Sequence, residues 1–192
     1  MPKGTTQTRL QNIAKEGAQV DIQELNYDDC VRLAAKEADE TPRGVIVQDT
    51  AWDGYEEIPA WIMQGYGTMA MEAGEQLKAQ GCERPTHIFV QAGVGSLAGA
   101  VVGYFSNLYA DNLPTFVVVE AEAAACLYKG AAAGESGAAP FGALAAMMTM
   151  DEYKDLRNDI GLDENSKVLL FSTEGDTDPD RYKNIVWKGL DK

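Results

Sequence analysis

The sequence is poor in the residues that bind metals and in positive charge. It holds one histidine, His87, and three cysteines, and its 16 Lys plus Arg stand against 30 Asp plus Glu, a formal net charge of -14. Cys30, Cys82 and Cys126 are widely spaced and form no CxxC pair, so no zinc-ligand spacing exists, and all three are expected to be reduced, mostly buried thiols. A single histidine opening a strand pattern has no visible partner for a triad, which makes His87 a structural residue. No apolar run approaches the roughly 20 residues that a membrane helix needs. The opening "MPKGTTQTRL" has no apolar core of a secretory signal, and a cytoplasmic location is expected. The acidic balance excludes nucleic acid and anionic membranes as partners, because both would be repelled. It leaves small anionic ligands open, since one local pocket can oppose the global sign.

What is present is alternation. "TTQTRLQNIAKEG" reads as a helix closed by Gly17, followed by a short strand in "AQVDIQEL". "NYDDCVRLAAKEADE" is a second helix started by Asn26, "TPR" a turn, and "GVIVQD" a buried strand. "IPAWIMQGYGTMAMEAGEQLKAQG" makes a long helix with Pro59 near its start and Gly81 at its end. Strand "THIFVQ", helix "LAGAVVGYFSNLYA" and strand "TFVVVEA" follow. Then come helices at "PFGALAAMM" and "MDEYKDLRNDIG", strand "KVLLFSTE" and a last helix "DRYKNIVWKG". Strands alternating with helices predict the α/β class, a parallel sheet with helices on both faces.

Between strand "THIFVQ" and the next helix lies "QAGVGSLAGA", with glycines at 93, 95 and 99. A strand, a tight glycine turn and a helix start bring unpaired N–H groups and the positive end of a helix dipole to one place, suited to an anion. Two ligands fit. A phosphate group is one. The other is a dinucleotide, since Gly93-x-Gly95-x-x-Ala98 matches that fingerprint and Glu120 ends the following strand where an acid would hold a ribose. The same glycines also serve plain close packing of helix on sheet.

Three further segments, in order, carry a resemblance: "QDTAWDGYEEIPAWIMQGYGTM" (48–69), "QAGVGSLAGA" and "STEGDTD" (172–178). Together they resemble the diaminopropionate ammonia-lyases, pyridoxal-phosphate enzymes of the tryptophan synthase β-like fold. "MPKGTTQTRLQNI", "NYDDCVRL" and "NIVWKG" fit the same family. The resemblance implies α,β-elimination of 2,3-diaminopropionate to pyruvate and ammonia, pyridoxal 5'-phosphate as cofactor, and a homodimer. It also implies a division into residues 1–43, part of a small α/β domain, and 44–192, the large cofactor-binding domain.

By the resemblance, Gly93, Val94, Gly95, Ser96, Leu97, Ala98 and Gly99 hold the cofactor phosphate. Ser172 matches the hydroxyl at the pyridine nitrogen; without the family it reads as a strand-end cap. Asp49 matches the aspartate that takes the α-proton of the L-substrate, and partial burial is expected to raise its pKa. Read alone, an Asp before Thr after a strand is a helix or turn cap. Trp52 and Tyr55 are placed to shape that pocket or to fill the core. Glu135 matches a turn near the cofactor ring.

The sequence also departs from the family. The Schiff-base lysine of the family follows a phenylalanine, in a segment expected to precede position 1, and no Phe-Lys dipeptide occurs here. The Asp-Gly-Asn-His-Gly turn of that segment is absent too. Relatives are expected to carry a longer segment between the counterparts of Lys129 and Glu135. A chain without the lysine is expected to form no lysine-bound cofactor. Two other readings stay open: a NAD(P)-binding oxidoreductase domain, and a non-catalytic remnant.

Overall fold

The computed structural model describes residues 1–120 and 135–173. The chain forms two compact units, Met1–Val47 and Gln48–Lys192.

In the first unit, helices α1 (Gln7–Lys15) and α2 (Tyr27–Glu40) each start at a side-chain cap. Thr6 accepts the Arg9 amide at 3.4 Å, and Asn26 accepts the Asp29 amide at 2.9 Å. Such caps satisfy amides that the first turn leaves open. Gly17, at φ 87°, ends α1, as its position after the last polar turn predicts. Two expected strands do not form. "AQVDIQEL" is irregular, although residues 21–25 run beside the start of the chain: Met1 donates to Asp21 O at 2.8 Å, Gln23 to Met1 O at 2.8 Å, and Lys3 to Leu25 O at 2.9 Å. "GVIVQD" is not a strand either, and Val45 and Val47 are 67% and 70% exposed. Its composition suits a buried strand, but a strand needs a neighbour to complete its ladder, and no strand pairs with it among the described residues.

The second unit supplies the sheet. Its elements are α3 (Glu57–Ala79), β1 (His87–Gln91), α4 (Ser96–Leu108), β2 (Thr115–Val119), α5 (Glu135–Thr149), a 3-10 turn (Asp151–Tyr153), α6 (Lys154–Asp159) and β3 (Val168–Leu170). The strands lie in the order β2-β1-β3, all parallel, with His87 opposite both Thr115 and Val168. Every residue of β1 is buried, as an apolar run between two strands and two helical layers requires. Side-chain alternation then divides the core. Ile88 and Val90 point to one face and pack with Ala70 of α3, Ala98, Val101 and Phe105 of α4, and Phe171. Phe89 points to the other and packs with Met147 of α5 and Leu162. Each of these large side chains contributes about 1.5–3 kcal/mol on burial. Helices thus cover both faces of a parallel sheet, the architecture expected from the alternation.

Small residues bring α3 and α4 together. A Cβ on Gly74 of α3 would sit 3.5 Å from Leu108 and 3.6 Å from Tyr104, and one on Gly99 of α4 would sit 3.7 Å from Met63. His87 is 3% exposed, and its Nε2 donates to the Ile160 carbonyl at 2.9 Å while Nδ1 meets the Thr86 hydroxyl at 2.9 Å. It is a structural histidine at the amino end of β1. Cys30 and Cys82 are free thiols and only half-buried, while Cys126 lies outside the described residues. The expected gap near 130–135 and the last helix "DRYKNIVWKG" also fall outside them. No described helix is long and apolar enough to cross a membrane.

Candidate cofactor site

Because the strands are parallel, their carboxyl ends share one edge, where ligands of open α/β sheets bind. At that edge the Ala92 amide donates to Val119 O at 3.0 Å, one step beyond the paired strands, and the chain then turns through Gly93, Val94 and Gly95. All three are exposed. Gly95, at φ 93° and ψ -14°, is the N-cap of α4, and no side chain caps that end. A Cβ on Gly93 or Gly95 would meet nothing within 4 Å among the described residues. The Gly99 amide closes the first helical turn on Gly95 O at 2.8 Å. Among the described residues nothing covers the amides of the first turn, which lie at the positive end of a helix dipole, and no acidic residue stands in that turn. This geometry fits a phosphate dianion, whose oxygens need close backbone donors and no competing carboxylate.

The other residues of the stretch divide by role. Ser96 and Ala98 are buried and Leu97 is half-buried. Gly99 faces Met63, so its lack of a side chain serves the contact of α4 with α3.

Asp49 comes to the same edge. The Ser96 hydroxyl donates to the Asp49 carbonyl at 2.6 Å, so the helix start that frames the cradle also holds the Asp49 backbone. The Tyr66 hydroxyl, from α3, faces Asp49 Oδ2 at 3.4 Å, long for such a bond. Burial, then the charge and hydrogen bonding of Asp49, push the Tyr66 pKa above its ordinary value, which keeps the phenol protonated and able to donate. The segment preceding and following Asp49 is clamped as well. The Tyr55 hydroxyl accepts the Gln48 amide at 2.9 Å and donates to Gln48 O at 3.2 Å. Trp52 and Tyr55 form an antiparallel bridge and stack at 4.2 Å. The two rings stack on each other, the Tyr55 hydroxyl is taken up by the Gln48 backbone, and Trp52 is 37% exposed.

Ser172 follows Phe171 just beyond β3, at the same carboxyl edge, and is exposed. Its neighbour Thr173 accepts a hydrogen bond from Gln91 Nε2 at 2.7 Å. Glu120 is exposed immediately after β2. Glu135 is the first residue of α5, and its side chain lies outside the described part of the structure. Among the described residues, no group of three or more His, Cys, Asp or Glu is placed to hold a metal. Sequence reasoning missed Tyr66, Gln91 and Thr173. Tyr66 has no local signal, because its meeting with Asp49 is tertiary. Gln91 had one: a carboxamide closing the apolar run "HIFVQ".

Residues 1–168 match the family model of the pyridoxal-phosphate dependent enzymes. The diaminopropionate ammonia-lyase of Salmonella typhimurium is 40% identical over 256 aligned residues, which cover 98% of this chain and 63% of that protein. The crystal structure of the apo diaminopropionate ammonia lyase of Escherichia coli matches with a TM-score of 0.87 and 38% identity, over 98% of this chain and 61% of that one. The same enzyme in complex with an aminoacrylate-PLP reaction intermediate gives 0.86 and 34%, over 98% and 64%. The chain spans 63% of the length of the curated relative. The family's cofactor is pyridoxal phosphate, not a nicotinamide dinucleotide. With its parallel sheet, open glycine cradle and matched span of 168 residues, the chain belongs to the pyridoxal-phosphate dependent enzymes.

Proposed function

We propose that this chain carries the cofactor-binding part of an ammonia-lyase that eliminates the β-amine of 2,3-diaminopropionate, with pyruvate and ammonia as products. The observation that carries the reading is the 2.6 Å hydrogen bond from Ser96 to the Asp49 carbonyl, which sets a carboxylate-bearing segment against the anion cradle. The amides of the turn 93–95 and of the first turn of α4 bind and orient the phosphate. The Ser172 hydroxyl meets the pyridine nitrogen without forcing a proton onto it. Asp49 takes the α-proton, and Tyr66 and the clamped Gln48 backbone hold its carboxylate in line. When bound, pyridoxal phosphate supplies the electron sink for charge developing at the α-carbon, the chemistry that protein side chains lack. Glu135 is assigned a place near the ring by the resemblance alone.

The relatives support the substrate: this chain shares 40% identity with one named for it. The matched span of 256 positions against the 192 residues here supports a segment of the relative that this chain lacks, proposed to fall near 130–135. We assign residues 1–43 to a small domain and 44–192 to the large one. A cytoplasmic homodimer acting in amino-acid breakdown is the setting proposed. Self-association is supported by β2 and β3, each of which has only β1 as a neighbour among the described residues. Light scattering tests it.

The cofactor reading is tested by thermal unfolding with added ligands. A ligand at 100 times its Kd stabilises by about 2.7 kcal/mol. Pyridoxal phosphate is expected to raise the midpoint and NAD(P) to leave it unchanged; the reverse sinks the reading. The activity is tested on the natural gene product, its length fixed by intact mass, by pyruvate release from 2,3-diaminopropionate. Asp49→Asn is expected to abolish release while retaining cofactor.

A further inference from the structure

Gln91 ends β1 with a carboxamide that is 7% exposed. Its Nε2 donates to the Thr173 hydroxyl at 2.7 Å, while its Oε1 is buried and has no hydrogen-bond partner among the described residues. A buried acceptor left open is unfavourable, so an apolar side chain would serve packing better at this position. The polar group is explained by what it holds. Main-chain pairing of β1 with β3 stops at Phe89 opposite Leu170, and continuing that register places Gln91 opposite Ser172. Past the last pair, the bond from Gln91 to Thr173 links the two strand ends.

We propose that Gln91 is a positioning residue, which through Thr173 fixes the Ser172 backbone so that the Ser172 hydroxyl meets the cofactor's ring nitrogen. The inference rests on the role given to Ser172 above.

Pyridoxine 5'-phosphate is the probe. It has the phosphate and the hydroxypyridine ring but no aldehyde, so its binding needs no lysine, and its ultraviolet band reports the state of the ring nitrogen. The wild-type chain is expected to bind it with a ring band displaced from that of the free probe. Gln91→Met and Thr173→Val are expected to keep the Kd within about threefold, because the phosphate contacts remain, and to return the band toward the free position. Thr173→Ser, which keeps the hydroxyl, is expected to retain the wild-type band. Thr173 is exposed, so its variants give the readout without disturbing the core should Gln91→Met fold poorly. A wild-type band in both Gln91→Met and Thr173→Val overturns the inference. If Ser172→Ala also leaves the band unmoved, or the wild type binds no probe, the role of Ser172 itself falls.

Discussion

Replacing Gly93 by alanine separates binding from folding. Its φ lies outside the left-handed region, and a Cβ there would meet nothing within 4 Å among the described residues. The methyl group therefore strains nothing and restricts only the unfolded chain, an effect worth about 0.4–1 kcal/mol in favour of folding. Urea denaturation is expected to find Gly93→Ala as stable as wild type or slightly more so. A phosphate held by the turn amides meets that methyl group directly. Losing one charge-assisted hydrogen bond costs about 1.5–3 kcal/mol, which weakens binding by about 10- to 150-fold. Calorimetric titration with pyridoxine 5'-phosphate measures it. Gly95→Ala is the contrast: at φ 93° it forces an alanine into the left-handed region at about 1–2 kcal/mol. For a chain of this size that lowers the midpoint by about 2–8 °C, together with the affinity. Unchanged affinity in Gly93→Ala would mean that the anion sits elsewhere. A stability loss above about 1 kcal/mol would make the turn a packing element, with no space for a ligand.

Ser96→Ala removes the hydroxyl that holds the Asp49 carbonyl and is expected to cost about 1–3 kcal/mol in urea denaturation. Because Tyr55 restrains the adjoining Gln48, the double variant with Tyr55→Phe is expected to depart from additivity by more than about 0.5 kcal/mol. Tyr66 has a raised pKa, so the folded protein holds its proton more tightly than the unfolded chain. That contribution is complete below the unfolded value of 10.0 and is lost as pH rises through the folded value, and Tyr66→Phe is expected to lack this alkaline decline in unfolding free energy. His87→Leu leaves the Ile160 carbonyl without its donor and is expected to cost about 2–4 kcal/mol. Its affinity for pyridoxine 5'-phosphate is expected to be unchanged, since β1 separates the two ends by about 13 Å.

The sequence alone determined what local chemistry decides. Asn26, Pro59 and the glycines at 17, 81 and 95 mark helix ends because capping and left-handed backbone depend on neighbours in the chain. The apolar run of β1 and the glycine turn after it were legible for the same reason. Tertiary structure decided the rest. "GVIVQD" has a strand's composition and no strand partner among the described residues, because a ladder needs a second chain segment that composition does not supply. Asp49 was legible as an acid, but its carbonyl bond to Ser96 and its facing of Tyr66 arise from residues 47 and 17 positions away. Gln91 and Thr173, 82 positions apart, meet only because β1 and β3 lie side by side. Contacts across that distance are set by the topology of the sheet, which no short stretch of sequence carries.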